Sequence, residues 1–307
     1  MKKYIILMVV LVLFAVTLVF HEDITNGITK VIHYLDSNYR KNDTLVNNEY
    51  ASDKNYKFIS LTDNFYPNNI EDIRNIYYTV IQSGMDKFTF YCGNDYDNCL
   101  DDVDYVSNNQ KLLSYINDYV PVFNSFKNVS TEFDDRGKIT INITHAYTKE
   151  EIDAINNKLD EIIKNNIKEE MDNEAKIKTI HDYIINNTKY DIDRSDNKVT
   201  KYHSDTAYGT LIEGYGICGG YADSMKIFLD IFNIPNYKIS SENHIWNAVY
   251  LNNTWKHLDL TWDDPINKNG EDVLEYSYYL ISTNELLELE KNQHQFDKEI
   301  FPEFNEI

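Results

Sequence analysis

The sequence predicts an α+β protein, on two observations. Apolar residues recur at helical spacing in several stretches of the second half of the chain, which indicates amphipathic helices. Short runs rich in β-branched and aromatic residues also occur in pairs on either side of a tight turn, which predicts antiparallel hairpins. We therefore expect a core in which a helix packs on an antiparallel sheet, preceded by a smaller α/β or α+β region.

The N-terminal residues 1–22 have the character of a membrane segment. Lys2 and Lys3 precede an uncharged, apolar run from Tyr4 to Phe20, which is at the lower limit of about 17 residues for a spanning helix. A basic start before an apolar run is typical of a secretory signal. Because no Ala-x-Ala-like cleavage site follows, we expect an uncleaved signal-anchor with the body outside the cell; a removed signal peptide and a secreted protein are the alternative.

Residues 23–56 are polar and poor in aliphatic clusters, which predicts a stalk. Residues 57–147 then predict a small unit of unknown role. Its expected elements are a strand at Lys87–Tyr91, a helix at Gln110–Tyr119, and two strands, Val129–Glu132 and Lys138–Thr144, around a turn at 134–137.

Cys92 and Cys99 lie close together in this region, whereas the third cysteine stands far along the chain. A local disulfide between them is plausible outside the cell and would leave the third thiol free. Two reduced surface cysteines are the alternative. A metal site lacks further histidine or cysteine ligands nearby, so no metal is expected.

Residues 148–307 predict the second domain. It begins with two helices, at about 149–165 and 173–187, whose isoleucines and leucines recur at helical spacing. His181 lies within the second helix, and its expected role is structural.

The composition excludes one class of function. The chain of 307 residues has a formal net charge of −21, and its pI is near 4.7. Such a field repels phosphates, so nucleic acid is not an expected partner.

Cys218 follows Tyr-Gly-Ile and precedes Gly-Gly-Tyr-Ala, with apolar residues at helical spacing beyond it. This pattern places the thiol at a helix N-terminus, where the unpaired N–H groups and the helix dipole favour a thiolate. The flanking glycines permit a sharp turn and close approach of a substrate backbone. The backbone N–H of Cys218 could also donate to a developing oxyanion.

A hairpin downstream supplies a base and a carboxylate. If Asn252 and Asn253 form a tight turn, His244 and Asp259 project from the same face as diagonal neighbours. Diagonal residues are about 7–8 Å apart, within reach of a His–Asp hydrogen bond. Cysteine, histidine and aspartate in this arrangement predict thiol-based acyl transfer, with His244 as base and Asp259 as its orienting group. His257 and His203 are the rival bases.

Three motifs resemble the bacterial branch of the transglutaminase-like superfamily: residues 207–222 around the cysteine, His244–Asn247, and Leu258–Pro265. The resemblance extends from about residue 177 to 265 and implies a papain-like α+β core with a triad of Cys218, His244 and Asp259. It also implies supporting roles for two aromatic residues. Tyr208 could assist the oxyanion or the substrate, with a packing role as the alternative, and Trp246 could shield the ion pair or form a groove wall.

The resemblance leaves the reaction open, since members of the superfamily include cross-linking enzymes, peptidases and inactive scaffolds. We expect an extracellular, membrane-anchored enzyme acting on peptide or protein amides, with substrates that could belong to the cell wall. No cofactor is expected, and the absence of an EF-hand-like loop gives no reason to expect calcium activation. The alternative is a noncatalytic surface protein that holds a peptide or cell-wall partner in the same groove.

Overall fold

The structure, a computed structural model, describes residues 40–93, 95–266, 273–290 and 292–305. It is a mixed α+β protein with two antiparallel sheets, as the sequence predicts. The helices are α1 (Ile70–Ser83), α2 (Cys99–Asn108), α3 (Gln110–Tyr119), α4 (Lys149–Asn166), α5 (Asn173–Asn187), α6 (Ile192–Asn197), α7 (Cys218–Ile231) and α8 (Thr283–Leu289). The strands are β1 (Lys87–Tyr91), β2 (Phe126–Phe133), β3 (Lys138–His145), β4 (Lys189–Tyr190), β5 (Tyr215–Gly216), β6 (Asn236–Ser240), β7 (Ile245–Leu251) and β8 (Thr254–Leu258).

The expected signal-anchor at residues 1–22 lies outside the described residues. Within the described ranges, no helix has both the length and the apolar character needed to cross a bilayer.

The first sheet has the strand order β1-β3-β2 and is antiparallel throughout. The predicted strands and the turn between β2 and β3 are confirmed, with Gly137 taking the left-handed conformation that the turn requires (φ 79°). Helix α1 begins at an N-cap, Asn69, whose side chain accepts the N–H of Asp72. The predicted disulfide between Cys92 and Cys99 is present and joins the end of β1 to the start of α2.

Residues 40–56, the described part of the predicted stalk, form no helix or strand but lie against the body. Asp43 exchanges two hydrogen bonds with the backbone of Thr89 in β1. Lys54 forms an ion pair of 2.8 Å with Asp230 near the end of α7. This segment is therefore fastened to both halves of the molecule.

The second sheet has the order β6-β7-β8, again antiparallel, and helix α7 packs on β6 and β7. The β7–β8 turn is formed by Asn252 and Asn253, both at positive φ (53° and 63°), which gives the tight turn that the two asparagines predict. Its register pairs Asn247 with Leu258 and Leu251 with Thr254, as predicted.

Two hydrophobic cores hold these elements. One is centred on α4, α5 and α7. The other contains the apolar residues of 58–143 together with Tyr237 and Trp246 from the second sheet and Phe301 and Phe304 from the C-terminus. The domain boundary between residues 147 and 148 stays a prediction. The core that contains the apolar residues of 58–143 also includes residues from beyond that boundary.

Candidate active site

Cys218 is the first residue of α7, as the sequence predicts, and it is a free, partly exposed thiol. The first N–H groups of a helix have no acceptor within the helix, so they and the dipole favour negative charge at this position. Gly220, two residues after Cys218, must be a glycine because the neighbouring atoms leave no room for a side chain. A Cβ atom on Gly220 would lie 2.4 Å from Thr210 Oγ1 and 2.5 Å from the carbonyl oxygen of Ser204.

His244 and Asp259 meet on one face of the second sheet. His244 immediately precedes β7, Asp259 immediately follows β8, and the hairpin register brings their side chains together. His244 Nε2 lies 2.5 Å from Asp259 Oδ2, and both side chains are almost fully buried. Because Nε2 is engaged by the carboxylate, Nδ1 is the nitrogen of His244 left to serve the thiol.

The imidazole of His244 interacts with charged groups on both of its sides. Burial alone would lower its pKa, but the charge and hydrogen bond of Asp259, and then the hydrogen bond and charge of Cys218, raise the pKa of His244 to about 10. Asp259 shows the complementary effect. Burial would raise its pKa, yet the charge and hydrogen bond of His244 hold that pKa well below its ordinary value. The arrangement favours an imidazolium facing the thiol.

Cys218 and His244 open on a common groove of about 870 Å³. One wall comes from α6 and the residues before it, including Tyr190 and Arg194, and the other from the segment after β8, including Trp262. The groove is partly open to solvent, and the thiol of Cys218 and the imidazole of His244 belong to its lining. It therefore gives a substrate direct access to the thiol.

The carboxylate of Asp259 accepts hydrogen bonds from four donors among the described residues. Oδ1 accepts the backbone N–H groups of Thr261 (3.0 Å) and Trp262 (3.3 Å). Oδ2 is shared between His244 and a second histidine, His294, whose Nε2 lies at 2.9 Å. The sequence analysis missed His294, because no motif or periodicity links it to Asp259.

The rival histidines occupy other positions. His257 is fully buried, where its Nδ1 accepts the indole N–H of Trp246 (3.0 Å) and its Nε2 lies 3.0 Å from Thr283 Oγ1. His203 lies largely exposed beside Glu213. His181, whose expected role is structural, is buried, with Nε2 3.1 Å from Asp263 Oδ2.

The two aromatic residues singled out with the triad lie in different places. Trp246 is buried, and its indole stacks on the imidazole of His244 at a ring separation of 5.7 Å, which shields the histidine from water. Tyr208 packs against His203 and does not line the groove. Tyr190 lines the groove, and Cys218 is among the groups that raise its pKa, after burial.

Helix α7 is held in place by a buried polar network beneath the site. Asp223 accepts the hydroxyl of Tyr147 (2.6 Å) and the ammonium of Lys238 (2.7 Å). The hydroxyl oxygen of Tyr147 in turn accepts the backbone N–H of Ala207, at 2.8 Å. The helix that carries the thiol is thereby joined to the sheet that carries the histidine.

Comparison with known proteins agrees with the motifs. Residues 160–260 match the family model described as the transglutaminase-like superfamily, which confirms the resemblance over that range. No curated protein matches the chain significantly.

Two solved structures are similar to parts of the chain. One is described as a TGase, with 16% identity and a TM-score of 0.35, over 47% of this chain and 46% of that one. The other is a candidate cysteine protease from Cytophaga hutchinsonii, with 13% identity and a TM-score of 0.28, over 50% of this chain and 69% of that one. The chain thus spans less than half of the length of the TGase.

Proposed function

Since residues 160–260 form a transglutaminase-like region, we propose that the chain is a thiol acyltransferase or hydrolase acting on peptide or protein amides through Cys218, His244 and Asp259. The observation that supports this most directly is the geometry of His244. Its Nε2 is bonded to a buried carboxylate, and its other side faces a partly exposed thiol at a helix N-terminus. These contacts support a papain-like order of thiol, imidazole and carboxylate.

In the proposed reaction, the thiolate of Cys218 attacks the carbonyl carbon of a glutamine side chain or a peptide bond. A C–S bond forms, the carbonyl oxygen becomes an oxyanion near the N-terminus of α7, and the C–N bond then breaks as the imidazolium of His244 protonates the leaving nitrogen. The resulting thioester is attacked by an amine or by water, which gives its proton to His244. The C–S bond then breaks, and the thiolate and the imidazolium are restored at the end of the cycle.

The outcome of the second step depends on whether an amine or water reaches the thioester. The groove beside Cys218 is partly open to solvent. Amine transfer, deamidation and peptide cleavage are therefore all compatible with the same acyl-enzyme, and one experiment separates them.

The full-length chain is incubated with a glutamine-rich protein and a labelled primary amine, and the products are identified by mass spectrometry. Label incorporation indicates transfer, conversion of glutamine to glutamate indicates deamidation, and new termini indicate cleavage. Cys218→Ala is the matched variant and should abolish all three. Turnover that survives in this variant would refute the assignment.

Alkylation of Cys218 distinguishes the enzyme from a noncatalytic scaffold that uses the groove only for binding. A thiolate stabilised by the imidazolium of His244 should react rapidly with iodoacetamide near pH 6, whereas an unassisted thiol near pKa 8.5 reacts slowly there. Slow alkylation at pH 6 together with retained peptide binding would favour the scaffold.

The proposed location is outside the cell, with the body anchored by residues 1–22. The Cys92–Cys99 disulfide supports an oxidising compartment, because such bonds are rare in reducing cytosol. Accessibility of the body to protease on intact cells tests the orientation, and its recovery in the medium would favour the secreted alternative.

A further inference from the structure

His294 lies in the C-terminal segment, outside the range that matches the family model, and it reaches the candidate site from there. Its side chain is fully buried, with Nε2 2.9 Å from Asp259 Oδ2. Tyr278 stacks on its ring at 5.3 Å, and the indole of Trp246 meets it edge to face at 4.9 Å. The ring is therefore fixed in orientation as well as in position.

The proton on His294 follows from its partner. The pKa of Asp259 is held below its ordinary value, so the carboxylate is ionised and can only accept. Both imidazoles that contact Oδ2 must therefore present an Nε2–H group. The opposite nitrogen of His294 lies 3.4 Å from Glu290 Oε2, an ion-pair distance rather than a well-formed hydrogen bond.

Glu290, the C-cap residue of α8, is the carboxylate on the far side of His294 from Asp259. Its carboxylate accepts the backbone N–H groups of Asn292 (2.9 Å) and Gln293 (2.6 Å), which link Glu290 to the two residues just before His294. Imidazole, carboxylate, imidazole and carboxylate thus follow one another from His244 to Glu290.

The same cluster has the composition of a metal site, since His244, Asp259 and His294 bring their ligand atoms within 4.8 Å of one another. The separations argue for hydrogen bonds instead. Two ligands of a tetrahedral zinc ion, with bonds of about 2.0–2.1 Å, lie about 3.3 Å apart, whereas the N···O distances are 2.5 and 2.9 Å. A metal would also occupy the nitrogen of His244 that its orienting carboxylate uses.

The segment that carries His294 is itself held by the N-terminal region. The hydroxyl of Tyr119 in α3 donates to the carbonyl oxygen of Ile300 at 2.6 Å. The ring of Phe301 is fully buried and stacks on Tyr119 and on Tyr237 of β6. A rigid path therefore runs from the predicted N-terminal domain to His294.

We propose that His294 is a positioning residue that fixes the Asp259 carboxylate and limits how strongly that carboxylate acts on His244. This inference rests on the proposed function. Without the His294 hydrogen bond, the Asp259 carboxylate keeps three of its four donors, so its orientation is less firmly fixed, and its charge is shared with one imidazole instead of two. The first effect lowers turnover, and the second favours the imidazolium form of His244.

The test compares His294→Leu, which removes the donor, with His294→Gln, whose side-chain amide can present an N–H group near the place of Nε2. His181 provides a matched control, because it is equally buried and bonded to a carboxylate, that of Asp263, and neither residue lines the groove that contains Cys218. All variants are made in the full-length chain, and His181→Leu is measured beside His294→Leu.

Two readouts are taken: turnover of the glutamine-rich protein, and the rate of Cys218 alkylation as a function of pH. The titratable groups on the elements around His294 are Asp259, Glu290, His244, His257 and Tyr278. All of them remain in the variants, so a change in profile is assigned to the lost donor.

For His294→Leu we expect a loss of about 10- to 100-fold in turnover, as for other groups that orient a reactive residue. The basic limb of the alkylation profile should move to higher pH. His294→Gln should recover most of both, and His181→Leu should leave the profile unchanged. Wild-type turnover and profile in a folded His294→Leu protein, or an equal shift in His181→Leu, would overturn the proposal.

A spectroscopic measurement covers the case in which His294→Leu does not fold. Histidine-labelled wild-type protein should show two strongly downfield imidazole N–H resonances from the two donors to Asp259, and His294→Gln should lose one of them. A single resonance in the wild type, unchanged in His294→Gln, would contradict the inference without bearing on Cys218. Absence of turnover in the wild type with both resonances present would instead count against the proposed function alone.

Discussion

The carboxylates of Asp259 and Asp118 are both fully buried, but the two regions that hold them treat them in opposite ways. Asp259, in the transglutaminase-like region, accepts four hydrogen bonds, and its pKa lies below the ordinary value. Asp118, in the N-terminal region, accepts the hydroxyl of Ser240 on Oδ1 (2.9 Å), while Oδ2 has no hydrogen-bond partner among the residues that the structure describes. Burial raises the pKa of Asp118 to about 7, against the lowering effects of Lys238 and Ser240.

The opposite pKa shifts of Asp259 and Asp118 indicate different roles for the two regions. The site stabilises a charged carboxylate where the proposed chemistry needs one. In the N-terminal region, the Asp118 carboxyl is poorly solvated where it packs against Ser240 of the second sheet, a contact that we call the seam. Changes at Asp259 should therefore affect turnover most, and changes in the N-terminal region should affect stability most. Three experiments examine this contrast, in order of expected effect.

The largest effect is expected for Asp259→Asn. An amide cannot stabilise the imidazolium of His244 and can present N–H where an acceptor is needed, so we expect turnover to fall by about 10³- to 10⁴-fold. Asp263→Asn is the matched control, because Asp263 is also buried and bonded to a histidine, His181. Steady-state kinetics on both folded proteins decide the matter. Comparable losses in the two variants would show that Asp259 has no special role.

The sequence could predict Asp259 because its position depends on short-range rules. The turn at Asn252 and Asn253 fixes the hairpin register, and the two-residue period of a strand then places His244 and Asp259 on one face. Cys218 is similarly defined by a glycine-rich start to an amphipathic helix.

The support from other segments could not be predicted in this way. His294 lies beyond a helix and a turn, and its contact with Asp259 depends on how the C-terminal segment packs against Tyr119 and Tyr237. The attachment of residues 40–56 depends likewise on contacts with distant residues, such as the ion pair of Lys54 with Asp230. Sequence periodicity describes which face of an element is apolar, but not which distant segment covers it.

The second effect concerns the disulfide of the N-terminal region. Replacing Cys92 and Cys99 together with alanine removes the closure of a short loop, which should lower the free energy of unfolding by about 2–3 kcal/mol. Denaturant unfolding measures this loss. The alkylation rate of Cys218 in the folded variant should equal that of the wild type, since neither cysteine contributes to the groove. A large change in that rate would show that the two regions are coupled more tightly than the contrast implies.

The smallest effect is expected at the seam itself, for Asp118→Asn. The pKa of Asp118 is about 7 in the folded protein and near 3.8 in the unfolded chain. Between about pH 4 and pH 7, the folded protein therefore keeps a proton that the unfolded chain has released. Stability must therefore fall as pH rises from about 4 to 7. The variant has no such proton, so its free energy of unfolding should decline less between pH 6 and pH 8, by about 1–2 kcal/mol.

Asp135→Asn, an exposed change in the β2–β3 turn, should reproduce the wild-type dependence and serves as the control. Because Asp118 contacts Ser240 on the strand before His244, the same measurement tests whether charging the seam disturbs the site. If the contrast holds, turnover of Asp118→Asn follows the wild-type pH profile while its stability does not. An altered pH profile with unchanged stability would place Asp118 with the catalytic groups and would remove the distinction between the two regions.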